Sequence, residues 1–344
     1  MIKKVVHKIG TPRLIMISFL FILLFAVNIL NIPFALALSQ CLIRVGINMV
    51  LVLSMVPSIN SGIGLNFSLP IGIVCGLIAG IISLEYNFIG LNGVLIAMLI
   101  SIPFSIIVGY LYGLLLNRVR GSELMVGTYM GFSIVSLMCI MWMILPFKNT
   151  GVRWPMGKGL RMTITLEAWY DRAINQIGAF MFNGVEIPTG LIIVCAIFCL
   201  IVWLLFRSRI GILILAAGSN PDFARFNGVS VENMRILSSI MSTVLAGIGI
   251  IIYAQGFGFY QLYTAPLMMA FPAVAAALIG GATTTKISIF NVVIGTILFQ
   301  SILALAAPVA SAIFPEGNLS EVFRTIISNG IILYALSRIE GGKQ

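Results

Sequence analysis

Apolar residues run along this chain in long stretches that short polar segments interrupt. A helix needs about 20 apolar residues to cross the hydrocarbon of a bilayer. That ruler places spans near 14–32, 41–59, 69–84, 93–116, 124–146, 188–206, 233–255, 267–284, 287–307 and 320–338. The third and eighth are short and lie in glycine-rich surroundings, as broken helices do where their backbone is buried in protein. The predicted fold class is all-α, a polytopic membrane helix bundle of about ten transmembrane helices. No period of 20–50 residues and no low-complexity linker divides the chain, so residues 1–344 read as one membrane domain.

Composition changes the picture in one direction. Hydrophobic residues make up 60% of the 344 and charged residues 9%, with a mean hydropathy of +1.12. Soluble domains are nearer half apolar and a quarter charged. A soluble enzyme, a disordered chain and a nucleic-acid-binding domain are excluded, and the expected surroundings are lipid. The net charge of +10 therefore bears on orientation. With the N-terminus inside, the cytoplasmic segments collect Lys3, Lys4, Lys8, Arg13, Arg118, Arg120, Arg207, Arg209, Arg225, Arg235, Lys286, Arg338 and Lys343. Lys148, Arg153, Lys158, Arg161 and Arg172 fall in one long external loop, with Arg44 and Arg324 at outer helix ends. The positive-inside rule favours this arrangement, and ten crossings return the C-terminus to the cytoplasm. Ala35-Leu36-Ala37 resembles a signal-peptidase site, but the run from Leu14 to about Leu30 exceeds a signal h-region of about 7–15 residues. It is read as an uncleaved first span.

Several chemistries are missing. Cys41, Cys75, Cys139, Cys195 and Cys199 lie in apolar runs without a CxxC pair, and the single histidine is His7. No metal site, disulfide framework or His-based triad is expected. The nearest approach to a phosphate-binding P-loop, Gly151 to Lys158, has the wrong spacing and ends on Gly159. The chain is not expected to hydrolyse ATP or to carry a cofactor. Glu85 lies just past a span end, so the membrane centre reads as almost free of charge, where a cation would cost about 2.5–3.5 kcal/mol on insertion scales. That weakens proton coupling. Sodium coupling through backbone carbonyls at broken helices stays open.

Two loops carry the remaining signal. Residues 147–187 form an external loop with Trp154, Trp169 and Tyr170, either a cap on the helix ends or a docking surface. Residues 207–232 form a polar cytoplasmic loop. There Asn220 suits an N-cap, Pro221 the first helical position, Asp222 the first turn and Gly228 a C-terminal stop. The expected product is a helix of about two turns that exposes Phe223 and Phe226 beside Arg225, a shape that suits a partner's groove.

The stretch Ala217-Gly218-Ser219-Asn220, Ala224-Arg225 and Gly228-Val229 resembles the cytoplasmic coupling loop of bacterial ABC-importer permeases of the ribose/branched-chain amino acid family. Ala273–Gly281 followed by Asn291–Gly295 resembles that family's apolar run with paired glycines. Ser61–Ser68 resembles its Gly-Gly-Ile-Asp-Leu-Ser segment, with Gly64 and Asn66 departing from the Asp-containing pattern. The resemblance implies a multi-pass subunit of the bacterial cell (inner) membrane. It would pair with a second permease copy or a paralogue around a path at their interface. ATP and Mg would belong to cytoplasmic ATPase subunits gripping Gly218, Asn220, Pro221, Asp222, Phe223, Ala224, Arg225, Phe226 and Gly228. An extracytoplasmic substrate-binding protein would deliver the solute, most simply a sugar or nucleoside.

Candidates for the path are Asn48, Asn60, Ser61, Asn66 and Ser68, with Gln255, Phe257, Tyr260 and Gln261 from the other half. Polar groups in membranes tend to face protein or water. The competing role is helix–helix hydrogen bonding, with close packing at Gly76, Gly80, Gly247 and Gly249. The sugar-type reading leans on a path without a fixed charge. An ion-coupled carrier, a branched-chain amino acid permease and a non-transporting scaffold are the alternatives.

Overall fold

A computed structural model describes residues 11–153, 155–156, 159–313 and 317–340. His7, Lys3, Lys4, Lys8, Trp154, Lys158 and Lys343 lie outside the described residues. The chain is a helical membrane bundle. Its elements are α1 (Thr11–Ile29), α2 (Phe34–Leu53), α3 (Met55–Asn60), α4 (Leu69–Glu85), α5 (Gly90–Arg118) and α6 (Glu123–Ile144). Then come α7 (Thr189–Arg207), α8 (Arg209–Ser219), α9 (Pro221–Phe226), α10 (Val231–Phe257), α11 (Thr264–Met268), α12 (Ala270–Ile279), α13 (Ile289–Ile313) and α14 (Gly317–Glu340).

Each apolar run of the sequence falls on helix. Among the described residues, six helices are long and apolar enough to cross a membrane: Phe34–Asn60, Gly90–Arg118, Glu123–Ile144, Thr189–Arg207, Val231–Phe257 and Ile289–Ile313. The other four runs give shorter apolar stretches of helix, Arg13–Ile29, Leu69–Glu85, Pro266–Ile279 and Thr325–Ser337. The eighth run is split at Met269, where α12 starts with Pro272 in its first turn, a place that needs no backbone N–H. Helix α4 has 17 residues, about 25 Å of rise, less than the hydrocarbon thickness of about 30 Å. It can be short because it is buried along nearly its whole length.

Helices α10 and α13 form the centre, each with 67% of its most apolar window buried, against 22% for α6 and α7. The outer helices thus turn their apolar side chains outward, as lipid contact requires. A glycine seam joins α4 to α10. A Cβ on Gly72 would stand 2.6 Å from that of Ala246, and one on Gly76 2.9 Å from the Gly247 carbonyl carbon. Small residues four apart let the two backbones touch. This is the close packing expected of Gly76 and Gly247.

The second span departs from the sequence reading in two ways. It begins at Phe34, right after Pro33, rather than near residue 41. Arg44 is therefore not at a helix end but about 15 Å along the helix from Phe34, at 1.5 Å per residue. The span is also broken at Ser54, between α2 and α3. Pro57 has no N–H to offer the Leu53 carbonyl, and the next carbonyl, that of Ser54, accepts from Ser242 Oγ at 2.7 Å.

The described residues between α6 and α7 are not helical. They carry β1 (Pro155–Met156), β2 (Gly159–Leu160), β3 (Thr163–Thr165), β4 (Phe180–Phe182) and β5 (Val185–Ile187). Strands β4 and β5 form a hairpin on Asn183 and Gly184, both with positive φ (47° and 80°), the turn that Asn-Gly favours. Strand β3 pairs antiparallel with β6 (Phe259–Gln261), just past the end of α10. The loop is thereby stitched to the bundle as a cap.

Candidate functional site

The hairpin α8–α9 forms from local signals. Ser208 caps α8 by accepting from the Gly211 amide at 3.3 Å. Asn220 Oδ1 accepts from the Phe223 amide at 3.0 Å, with Pro221 at the first helical position. Helix α9 ends on Gly228, at φ 77°. The Gly228 amide donates to Arg225 O at 2.9 Å and the Val229 amide to Ala224 O at 3.0 Å. These two bonds form the Schellman arrangement, and Val229 packs beside Ala224 as that motif requires. Ala217, Ala224 and Val231 form a small core under the hairpin. Phe223 is 62% exposed and Phe226 91%, so the described residues do not cover these two rings.

Ion pairs tie the hairpin to the transmembrane helices. Glu232 at the start of α10 accepts from Arg225 at 3.0 Å and from Arg120. Arg225 also reaches Asp222 at 3.7 Å. These side chains are 38–80% exposed, so each pair contributes about 0–1 kcal/mol. Arg235 and Glu123 pair at 2.6 Å with side chains only 9% and 15% exposed.

Gly218 brings the hairpin against the turn after α3. A Cβ on Gly218 would stand 2.8 Å from the Gly62 nitrogen and 2.8 Å from the Ser61 carbonyl carbon. Asn60, one residue earlier, clasps Ile287: its Nδ2 donates to Ile287 O at 3.0 Å and its Oδ1 accepts from Ile287 N at 3.1 Å. Arg13 reaches Gly280 O and, at 3.2 Å, Asn291 Oδ1. The hairpin, the Asn60–Ser61 turn and the α12–α13 connection thus lie at one end of the bundle.

The path candidates are not gathered around one cavity. Asn66 Oδ1 accepts from the Ser68 amide at 3.1 Å and from the Ser68 hydroxyl. Its Nδ2 donates to Ser242 Oγ at 2.9 Å. Ser61 Oγ donates to Ser58 O at 2.9 Å. Gln255 accepts from Ile174 N at 3.1 Å and donates to Asn175 Oδ1 at 3.1 Å, which fastens the cap to α10. Tyr260 and Gln261 lie in β6, opposite Ile164 and Thr163. The Tyr260 and Tyr170 hydroxyls are 3.0 Å apart, and Tyr170 donates to Gly80 O at 3.3 Å. Burial pushes both phenols above the ordinary tyrosine range.

Asn48 and Phe257 do line a cavity. An outer cavity of about 510 Å³ lies between the start of α2, the β4–β5 hairpin, Arg172 and the end of α10. An inner one of about 140 Å³ lies between α2, α10, α12 and α13, lined by Asn48, Tyr253 and Gln300 among others. Arg44 and Phe257 line both. The Tyr253 and Phe257 rings stack with centroids 5.0 Å apart. A cavity wall without fixed charge is thus not what folds: Arg44 is in it. The sequence reading missed Gln300, whose signal was a lone amide inside an apolar span. No group of His, Cys, Asp and Glu suited to a metal occurs among the described residues.

A family model described as the branched-chain amino acid transport system permease component matches residues 14–336. The chain belongs to this family. It is a multi-pass protein of the cell membrane. It is 26% identical over 224 residues to the nucleoside ABC transporter permease protein NupB of Lactococcus lactis subsp. cremoris (strain MG1363), a match spanning 62% of this chain and 58% of that relative. It is 38% identical over 82 residues to the nucleoside ABC transporter permease protein NupC of the same strain, covering 24% of this chain and 25% of that relative. The chain spans somewhat more than half the length of the first relative and a quarter of the second.

Proposed function

We propose that this chain is the membrane subunit of an ATP-driven importer for a small polar solute, a nucleoside or simple sugar. The observation that carries the reading is the capped helix α9, which exposes Phe223 and Phe226 while Gly218 at its base rests on the Asn60–Gly62 turn. Exposed aromatic knobs on a stiff short helix fit a groove on a cytoplasmic ATPase. That ATPase holds ATP and Mg; this chain holds no cofactor and catalyses no covalent step. Relatives named as nucleoside permeases support a nucleoside as the solute. A second permease copy or paralogue completes the transporter, and an external binding protein delivers the solute to the cap of residues 147–187.

Ten crossings with both termini in the cytoplasm follow from the same reading. The end that carries the hairpin is then the cytoplasmic face, since Arg13, Arg120, Arg225 and Arg235 lie there. ATP binding closes the paired ATPases, moves α9, and biases the bundle between two arrangements.

Purification of the tagged chain from its host in mild detergent, with mass spectrometry of what accompanies it, tests the proposal. An ATPase is expected in the preparation. Gly228→Pro, which removes a positive-φ stop and its amide, and Arg225→Glu are each expected to abolish uptake in cells. Ion-gradient-driven uptake by this chain alone in liposomes overturns the reading.

A further inference from the structure

The end of the bundle that carries the α8–α9 hairpin is rich in arginine. Arg118 ends α5 and Arg120 follows it, Arg225 lies in α9, and Arg235 lies in the second turn of α10. A cavity of about 160 Å³ sits against the hairpin. Gly218 and Pro221 of the hairpin line it, with Gly62 from the turn after α3 and the side chains of Arg120, Arg225 and Arg235. No carboxylate lines it.

The three guanidinium groups have partners but are not used up by them. Arg120 and Arg225 share the one carboxylate of Glu232, and Arg235 holds Glu123. Arg225 also stands 3.7 Å from Asp222, whose side chain is 80% exposed. A guanidinium carries five N–H donors. The glutamates take only one terminal nitrogen of each arginine. Arg235 is the telling case. Its side chain is 9% exposed, and its Nε has no hydrogen-bond partner among the described residues. A buried donor left unpaired costs free energy, and more so on a charged group. The Arg120 and Arg225 side chains are 38% and 43% exposed. Two of the arginines can thus meet an incoming ion, and the third waits inside.

The volume selects the ligand. It lies below the range of small-molecule sites, about 300–1,000 Å³. It has room for about five waters at about 30 Å³ each, the scale of one tetrahedral oxyanion. Arginines are the side chains that grip such an ion, since several planar forks can donate to it at once. We propose that this cavity binds a phosphate group, to which Arg120, Arg225 and Arg235 donate while keeping their carboxylate partners. The phosphate is that of an anionic lipid headgroup or inorganic phosphate. Bound there, it ties α9 to α10 and to the end of α5, beside the place where Gly218 meets Gly62. It therefore stiffens the hairpin. The site requires neither an ATPase nor a transported solute, so it stands apart from the importer reading.

Hydrogen exchange of the full chain in phosphatidylcholine nanodiscs tests the site. Inorganic phosphate, against chloride at equal ionic strength, is expected to slow exchange of the α8–α9 amides in a saturable way. Arg120→Gln is expected to weaken the apparent affinity about tenfold or more. Arg235→Lys, which keeps a cation for Glu123 and removes Nε, is expected to do the same. Arg118→Gln, at the same end but outside the cavity, is expected to leave the affinity unchanged. Nanodiscs containing phosphatidylglycerol separate the two sources. Protection that appears there without added phosphate, and that phosphate does not increase, assigns the site to a headgroup. Protection by phosphate alone assigns it to the free ion. An absence of protection with either anion overturns the proposal and leaves the cavity to water. Protection that Arg118→Gln weakens as much as the other two variants also overturns it, since the anion then answers to diffuse surface charge. None of these outcomes depends on whether an ATPase accompanies the purified chain.

Discussion

Gly218 and Gly62 meet main chain to main chain: a Cβ on Gly218 would stand 2.8 Å from the Gly62 nitrogen, and one on Gly62 3.1 Å from the Gly218 Cα. Gly218 lies at the end of the first helix of the α8–α9 hairpin, and Gly62 follows the helix pair that carries Arg44, Asn48 and Asn60. A movement of the hairpin therefore reaches the wall of the cavities through two residues that have no side chain to yield.

Gly218→Ala tests that contact. The added methyl meets backbone on three sides, and overpacking of this kind costs about 1–3 kcal/mol. The expected outcome is a complex that assembles and hydrolyses ATP but takes up solute poorly. ATPase activity and uptake measured on the same proteoliposomes check it; normal uptake by the alanine variant refutes the transmission role.

Phe226 is the most exposed of the aromatic knobs. Phe226→Ala is expected to leave the chain's own thermal stability within about 0.5 kcal/mol, as for surface changes generally. It is expected to weaken assembly with the ATPase by about 2 kcal/mol, roughly thirtyfold in affinity. Titration of detergent-purified subunits measures both. A loss of stability with assembly unchanged would assign the ring to folding instead.

The two acid–arginine groups at this end are expected to behave differently. Removing one partner of a buried pair costs about 3–5 kcal/mol because a charge is stranded, whereas an exposed pair contributes about 0–1 kcal/mol. Glu123→Gln, which leaves the largely buried Arg235, is expected to destabilise far more than Glu232→Gln, which leaves two half-exposed arginines. Paired thermal unfolding curves decide; equal shifts contradict the burial argument.

The Tyr170–Tyr260 pair has a pH signature. Both phenols are raised by burial, so the folded chain holds their protons more tightly than the unfolded chain. Their contribution to stability is complete below about pH 10, the unfolded tyrosine value, and is lost as pH rises above it. Phenolate absorbance is expected to show these two of the nine tyrosines ionising only with unfolding, and Tyr170→Phe to remove part of the alkaline destabilisation.

Helical runs were legible because twenty apolar residues are a local signal, and the capped α9 because Asn-Pro-Asp and Asn-Gly are local too. Two errors share a cause. The twenty-residue ruler started the second span near 41, but Pro33 sets its start, and that shift moved Arg44 from a rim to a wall. Asn60, Asn66, Gln255 and Tyr260 looked like path residues because they were polar among apolar neighbours. Their partners, Ile287, Ser242, Ile174 and Tyr170, come from distant sequence, so only the fold reveals that they fasten segments together. Gln300 is the reverse case, a lone amide in an apolar span that the fold places on a cavity wall. The strands of the cap are two or three residues long, and β3 finds β6 far along the chain, beyond the reach of any alternation pattern.

The break at Ser54 has its own consequence. An intact helix from Phe34 to Asn60 would tilt as one rod, so any push at Asn60 would arrive at Arg44 at once. With the Leu53 carbonyl deprived of its helical donor by Pro57 and the neighbouring Ser54 carbonyl tied to Ser242, the lower piece has some play before the upper one is dragged along. Under the proposed importer reading, such slack imposes an order of events: the end that carries the hairpin shifts first, and the cavity wall follows only on a full stroke. Partial or thermal movements of that end are then absorbed at the joint.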